Sequence, residues 1–264
     1  MELQLKSKKA FISGSTQGIG YAIAKALLLE GTEVIINGRT QGKIDSAIEK
    51  LKSEIPSARL SGIAADFTKP QQIKNLLDKL PEIDILINNV GVFELKSFAD
   101  ISNQDWIDIF EINVLSSIRL SRALFPGMLK RNWGRIIFIS SESAINIPEN
   151  MIHYGMTKTA MLSISRGLAE LTKNTGVTVN SILGGPTYSD GVASAVNYLS
   201  SAQDKDIESV KSELMANLNP TSLINRFIDP SEIANLAVYL SSPLSIATNG
   251  SALRADGGVL NTII

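Results

Sequence analysis

Short β-branched apolar runs alternate along this chain with longer stretches whose apolar residues recur at helical spacing. The runs predict strands over 8–13, 33–37, 59–64, 83–88, 135–140, 177–182 and 251–255. Between the first two, Ile19, Ala22, Ile23, Ala26 and Leu27 share one helix face. Ile44, Ala47, Ile48 and Leu51 do the same in the next gap. Strands separated by helices of this length form βαβ units, and their crossovers make neighbouring strands parallel. The run Ile83-Asp84-Ile85-Leu86-Ile87 is almost wholly apolar, as required of a strand covered by helices on both faces. The pattern predicts an α/β, doubly wound parallel sheet of about seven strands. No repeat, low-complexity tract or Pro/Gly-rich linker divides it, so a single domain over 1–264 is expected. Segment 184–219 departs from the rhythm, with polar helical stretches and no strand. An insertion of this kind over the carboxyl end of a sheet is expected to be a substrate-binding lid.

Composition narrows the chemistry. Lys and Arg number 25 against 26 Asp and Glu, and they are scattered, which argues against nucleic acid and anionic membranes as partners. There is no cysteine, which excludes disulfides, thiolate metal sites and a Cys nucleophile, and agrees with a reducing cytoplasm. The single histidine, His153, cannot build a His-based metal site, so no metal is expected. The N-terminus lacks an apolar core of signal-peptide length, and no apolar run reaches the ~18 residues of a membrane helix. A soluble cytoplasmic protein is the expectation.

The first strand runs into Gly14-Ser15-Thr16-Gln17-Gly18-Ile19-Gly20, which opens the first helix. Glycines there permit positive φ and close backbone approach, and free N–H groups at a helix N-terminus favour a pyrophosphate. The second strand ends in Asn37-Gly38-Arg39-Thr40, with no carboxylate to hold a ribose 2′-hydroxyl. Arg39 instead offers a planar fork for a 2′-phosphate, which favours NADP over NAD. Asp66 and Phe67 fall at the tip of strand three, where an adenine would rest. Asn88-Asn89-Val90-Gly91 ends strand four. Its Asn side chains either tie backbone together or face a ligand, and Gly91 lets the chain pass close to one. Asn113 falls in an apolar helix over 106–124 and is either a satisfied core group or a functional one. Tyr154 and Lys158 lie one helical turn apart, with Ser141 upstream at the end of an apolar run. Residues at i and i+4 share a face, and a nearby ammonium pushes a phenol toward phenolate. His153 adjoins Tyr154 but points about 100° away, which argues against a catalytic role.

These motifs, in this order, resemble the short-chain dehydrogenase/reductase family over essentially the whole chain, and they share features with its 3-oxoacyl-carrier-protein reductases. The resemblance implies a Rossmann-type fold and an NAD(P)-dependent oxidoreductase, with NADP preferred and NAD possible. Tyr154 is then the proton donor to a carbonyl, and Lys158 lowers its pKa and holds the nicotinamide ribose. Ser141 orients the carbonyl, and Asn113 holds a water that relays protons. Gly14, Thr16, Gln17, Gly18, Ile19, Gly20, Arg39, Asp66, Phe67, Asn89, Gly91, Tyr154, Lys158 and Thr187 would contact the cofactor. Val90 stands where the family often has Ala, and Gly184-Gly185-Pro186-Thr187 replaces a common Pro-Gly pair. Gln17 stands where NADP-preferring members often carry a basic residue.

The implied substrate is a small carbonyl or alcohol, with an acyl thioester possible. A carrier-protein partner would need a basic patch near the cleft, for which Lys130, Arg131 and Arg135 are the candidates. Phe93, Glu142, Asn146, Ile147 and Met151 are the pocket candidates. The alternative is a cofactor-binding regulator that does not turn over. Relatives assemble through the last strand and the helices holding Asn113 and Tyr154, which implies a homotetramer, or next a homodimer.

Overall fold

Side chains on successive strand residues point to opposite faces, and that alternation sorts the core into two layers. The computed structural model describes residues 2–263. The first and last residues of the domain expected over 1–264 therefore lie outside the described ones. The strands are β1 (Lys9–Ile12), β2 (Glu33–Gly38), β3 (Leu60–Ala64), β4 (Ile85–Asn88), β5 (Gly134–Ser141), β6 (Val177–Gly184) and β7 (Ala252–Ala255). They form one sheet in the order β3-β2-β1-β4-β5-β6-β7, with every pair parallel. The helices are α1 (Gly18–Leu29), α2 (Gln41–Glu54), α3 (Pro70–Lys79), α4 (Asn103–Phe110), α5 (Ser116–Lys130), α6 (Ile152–Glu170), α7 (Asp190–Gln203), α8 (Ile207–Leu218) and α9 (Pro230–Ser241).

Ala10 and Ile12 of β1 enter one apolar layer and Phe11 the other. Ile85 and Ile87 oppose Leu86, and Ile137 and Ile139 oppose Ile136 and Phe138, in the same way. The first layer is closed by Ile23 and Leu27 of α1, Ile44 and Leu51 of α2, and Ile233 and Leu240 of α9. The second is closed by Ile73 and Leu76 of α3, Leu120 and Met128 of α5, and Met161 of α6. Each fully buried side chain of this kind contributes roughly 1.5–3 kcal/mol. Helices α7 and α8 belong to neither layer, as the polar character of segment 184–219 foretells.

The sheet order reverses beside β1, which has β2 on one side and β4 on the other. Crossovers leaving to opposite faces open a crevice outside the carboxyl ends of these strands. Two local departures from the sequence reading bear on that crevice. Strand β5 extends to Ser141 and β6 to Gly184, so both deliver their last residues to its rim. The helix expected over 106–124 is interrupted, because Glu111–Leu115 forms a π-helical turn between α4 and α5.

The basic patch proposed for a carrier protein sits at the wrong end of the sheet. Arg135 opens β5 at its amino end and is 1% exposed. Its guanidinium donates to the carbonyls of Gly134, Gly176 and Ser242. Arg131 donates to the Ile83 carbonyl just before β4, again away from the crevice.

Candidate active site

Three strand tips meet at the glycine-rich turn. Gly14 and Gly18 sit at φ +61° and +59°, which side chains other than glycine's rarely tolerate. A Cβ at Gly20 would lie 2.5 Å from Asn89 Nδ2, so the third glycine lets the β4 tip pack on the turn. Asn89 donates to the carbonyls of Ser13 (3.1 Å) and Gly14 (2.8 Å). Asn89 thus ties backbone together, and it also lines the crevice. Asn37, at the β2 tip, accepts from the Gly14 N–H at 3.1 Å and donates to the Ile63 carbonyl at 3.0 Å. This buried crosslink has no local signature in the sequence.

Helix α1 has no side-chain cap at Gln17 and no acid in its first turn, so its free N–H groups attract an anion. Asp190, 172 residues away at the start of α7, supplies one. Its Oδ2 accepts from the Gly18 N–H at 2.8 Å. Nothing local in the sequence signals that contact.

The crevice, about 680 Å³, runs from this turn past Arg39, Asp66 and Phe67 to Ser141, Tyr154 and Lys158. Thr16, Gln17, Ile19, Asn89, Gly91 and Thr187 also line it. Arg39 is exposed at its rim, and its charge helps lower the Asp66 pKa, after the hydrogen bond from the Thr68 amide. Phe67 is 4% exposed with its ring in the second core layer, so it forms wall rather than platform. Thr187 donates its hydroxyl proton to the Gly185 carbonyl at 2.8 Å, which leaves its oxygen as the acceptor available to a ligand. The volume, the glycine cradle at a helix N-terminus and the acid-free β2 tip beside Arg39 fit an extended dinucleotide with a 2′-phosphate. Of the pocket candidates, Phe93, Glu142 and Met151 line the crevice, whereas Asn146 and Ile147 are absent from its wall.

At the inner end, four elements converge. Ser141 caps the turn after β5, accepting from the Ser143 N–H at 3.1 Å and donating to Glu142 Oε2 at 2.5 Å. Tyr154 and Lys158 share a face of α6, with the Lys158 Nζ 5.5 Å from the Tyr154 ring centroid. Lys158 is 4% exposed and donates to the Ile139 carbonyl at 2.9 Å. Ser140 fastens α6 to β5 by donating to the Lys158 carbonyl at 3.0 Å.

Asn113 occupies the π turn and is fully buried. It accepts from the Val92 N–H (2.8 Å) and donates to the Val92 carbonyl (2.9 Å) and Thr157 Oγ1 (3.0 Å). The wider turn directs this side chain at the β4 tip and α6 together, a use typical of π turns in functional helices. Gly91 lies between them, since a Cβ there would sit 3.2 Å from Lys158 Nζ and 3.7 Å from Asn113 Oδ1.

The electrostatics correct one expectation. Burial pushes the Tyr154 pKa up to about 12, opposed by the Ser141 hydrogen bond and helped by the Glu142 charge. Burial lowers Lys158 to about 8, and Glu142 opposes that. Lys158 does not drive Tyr154 toward phenolate. Removing a phenolate from water outweighs an ammonium that forms no hydrogen bond to the phenol. Tyr154 is therefore protonated at neutral pH. His153 is buried against Trp106, ring centroids 6.0 Å apart, and neither nitrogen has a partner among the described residues. It packs away from the crevice, as its helical phase requires.

Residues 8–198 match the short chain dehydrogenase family. The chain belongs to the short-chain dehydrogenase/reductase family and is an NAD(P)-dependent oxidoreductase. It is 45% identical over 266 residues to the uncharacterized oxidoreductase YvrD of Bacillus subtilis, covering all of both chains. It is 31% identical to the D-beta-hydroxybutyrate dehydrogenase of Cupriavidus necator over 96% of this chain and 98% of that one. The crystal structure of L-sorbose reductase from Gluconobacter frateurii, complexed with NADPH and L-sorbose, superposes with a TM-score of 0.92 at 28% identity. That match covers 100% of both chains. Among the described residues, no helix is long and apolar enough to cross a membrane.

Proposed function

We propose that this protein reduces a ketone to a secondary alcohol with NADPH, and that Tyr154 donates the proton. The observation that carries the reading is Tyr154, its pKa held high, sharing a face of α6 with Lys158 and lining the crevice with Ser141. A bound nicotinamide supplies the hydride. Tyr154 gives its phenolic proton to the carbonyl oxygen as negative charge develops there, and Ser141 turns its one hydroxyl proton from Glu142 to that oxygen. Lys158, anchored on the Ile139 carbonyl, holds the ribose side and sets the local field. Asn113 keeps the β4 tip and α6 together and holds the water through which Tyr154 is reprotonated.

NADPH is favoured by Arg39 at an acid-free β2 tip, and the NADPH bound to L-sorbose reductase points the same way. Segment 184–219 acts as the lid, because α7 and α8 stand outside the core and Thr187, Ser189, Val192, Leu218 and Asn219 overhang the crevice. The substrate is a free metabolite of partly apolar character, 3-oxo compounds among the candidates. The 3-hydroxy acid and the ketose named for the relatives bracket its size. The misplaced basic patch weighs against a carrier-protein thioester. A non-catalytic regulator finds no observation in its favour. Assembly as a homotetramer through α5, α6 and the β7 edge completes the reading.

The test is NADPH oxidation, followed by absorbance, against a panel of ketones, aldehydes and acyl thioesters. Turnover of a ketone supports the reading, and absence of turnover across the panel overturns it.

A further inference from the structure

We propose that Glu142 selects the substrate. Its carboxylate admits neutral carbonyl compounds bearing a hydroxyl on the carbon beside the carbonyl, and turns away those bearing a carboxylate there. This rests on the reading of Ser141 and Tyr154 as the groups that receive the carbonyl oxygen.

Glu142 Oε2 lies 2.5 Å from Ser141 Oγ. A substrate oxygen that takes over the Ser141 hydroxyl proton at an ordinary hydrogen-bond length then lies within about 5 Å of that carboxylate. A substituent on the neighbouring carbon spans this gap. An ionised carboxylate only accepts hydrogen bonds, so a hydroxyl is the complementary partner and a second anion is not. Burial raises the Glu142 pKa, while the Ser141 hydroxyl opposes the rise and favours the charged form.

The surroundings offer an anion no compensation. The crevice that Glu142 lines also takes its wall from Phe93, Leu95, Asn150, Met151 and Asn219, and Lys158 is the cation beside Tyr154 among the described residues. Its ammonium is held by the Ile139 carbonyl and balanced by Glu142 itself. The other cations lining the crevice, Arg39 and Lys43, stand at and beyond the β2 tip. At about 5 Å and an effective dielectric near 20, a second negative charge is disfavoured by roughly a hundredfold, less where water enters.

Glu142 also belongs to the short helical turn Glu142–Ala144, and the Ser143 hydroxyl approaches its Oε1 at 3.3 Å. A purely structural role would affect all substrates alike, so the test reads a ratio. Steady-state kcat/KM is measured with NADPH for a 1-hydroxy-2-ketone and the 2-keto acid of the same carbon skeleton, hydroxyacetone and pyruvate being the smallest pair. The wild type should prefer the hydroxy ketone, and E142Q should shrink that preference at least about tenfold. E142D, which keeps the charge, should retain the preference and covers the case in which E142Q folds poorly. A preference for the keto acid in the wild type, or a ratio unchanged in E142Q, overturns the assignment while leaving the reductase reading intact. Absence of turnover on every carbonyl overturns both.

Discussion

Replacing Asn113 by Leu should both loosen the fold and misplace the active site. The change removes three hydrogen bonds, from the Val92 N–H and to the Val92 carbonyl and Thr157 Oγ1. Thr157 still donates to the Tyr154 carbonyl at 2.7 Å, so its loss is the smaller one. The two Val92 groups lose their partner. Leaving a buried polar group unpaired costs about 1–3 kcal/mol. Val92 is 43% exposed, so water restores part of this, and the apolar side chain adds some burial of its own. A net loss of about 2 kcal/mol follows, which for a chain of this size lowers Tm by roughly 4–8 °C. The β4 tip would also lose its tether, shifting Gly91 over Lys158 and cutting kcat by roughly ten- to a hundredfold. Thermal unfolding followed by circular dichroism, paired with NADPH-oxidation kinetics on the same preparation, measures both. A Tm within about 1 °C of wild type with unchanged kcat would refute the view that Asn113 joins β4 to α6.

Other consequences are as direct. Reduction should lose kcat/KM as pH rises through about 8, where Lys158 gives up its proton, with no limb from Tyr154 below about pH 10. A flat profile from pH 6 to 10 would contradict this. Because burial depresses Lys158, the unfolded chain binds more protons between its pKa of about 8 and the ordinary 10.5, so this residue's contribution to stability rises with pH across that window. Chemical denaturation at pH 7 and pH 10, compared between wild type and Lys158→Met, reads that sign. Arg39→Asp should shift preference from NADPH toward NADH. Fluorescence titration of both cofactors checks it, and an unchanged preference removes Arg39 from the site. Asp190→Asn should tighten NADPH binding roughly two- to fivefold, because the carboxylate on Gly18 competes for the same helix terminus. Weaker binding by the same titration would show that Asp190 assists the cofactor instead.

Local patterns in the sequence made the sheet legible, since Ile85-Leu86-Ile87 and its counterparts carry the two-faced alternation themselves. The Gly14–Gly20 turn and the Tyr154/Lys158 spacing were legible for the same reason, as each is written within a few consecutive residues. What escaped depends on the folded whole. A π turn at Glu111–Leu115 has the same side-chain pattern as an α-helix, so nothing in the chain separates them. The Asp190 contact and the Asn37 crosslink join elements that only the crevice brings together. The Tyr154 shift went the opposite way from the charge argument because burial is a sum over surroundings that no pair spacing contains. Phe67 lies at the tip of β3 as expected, but its ring turns into the core, an orientation decided by packing.

The central claim is that Tyr154 supplies the proton, and Tyr154→Phe removes that hydroxyl alone. Turnover of the best ketone in the panel and NADPH affinity should be measured on the same variant. Loss of turnover by about a hundredfold or more, with NADPH affinity nearly unchanged, is the predicted result. Wild-type turnover in that variant would contradict the account.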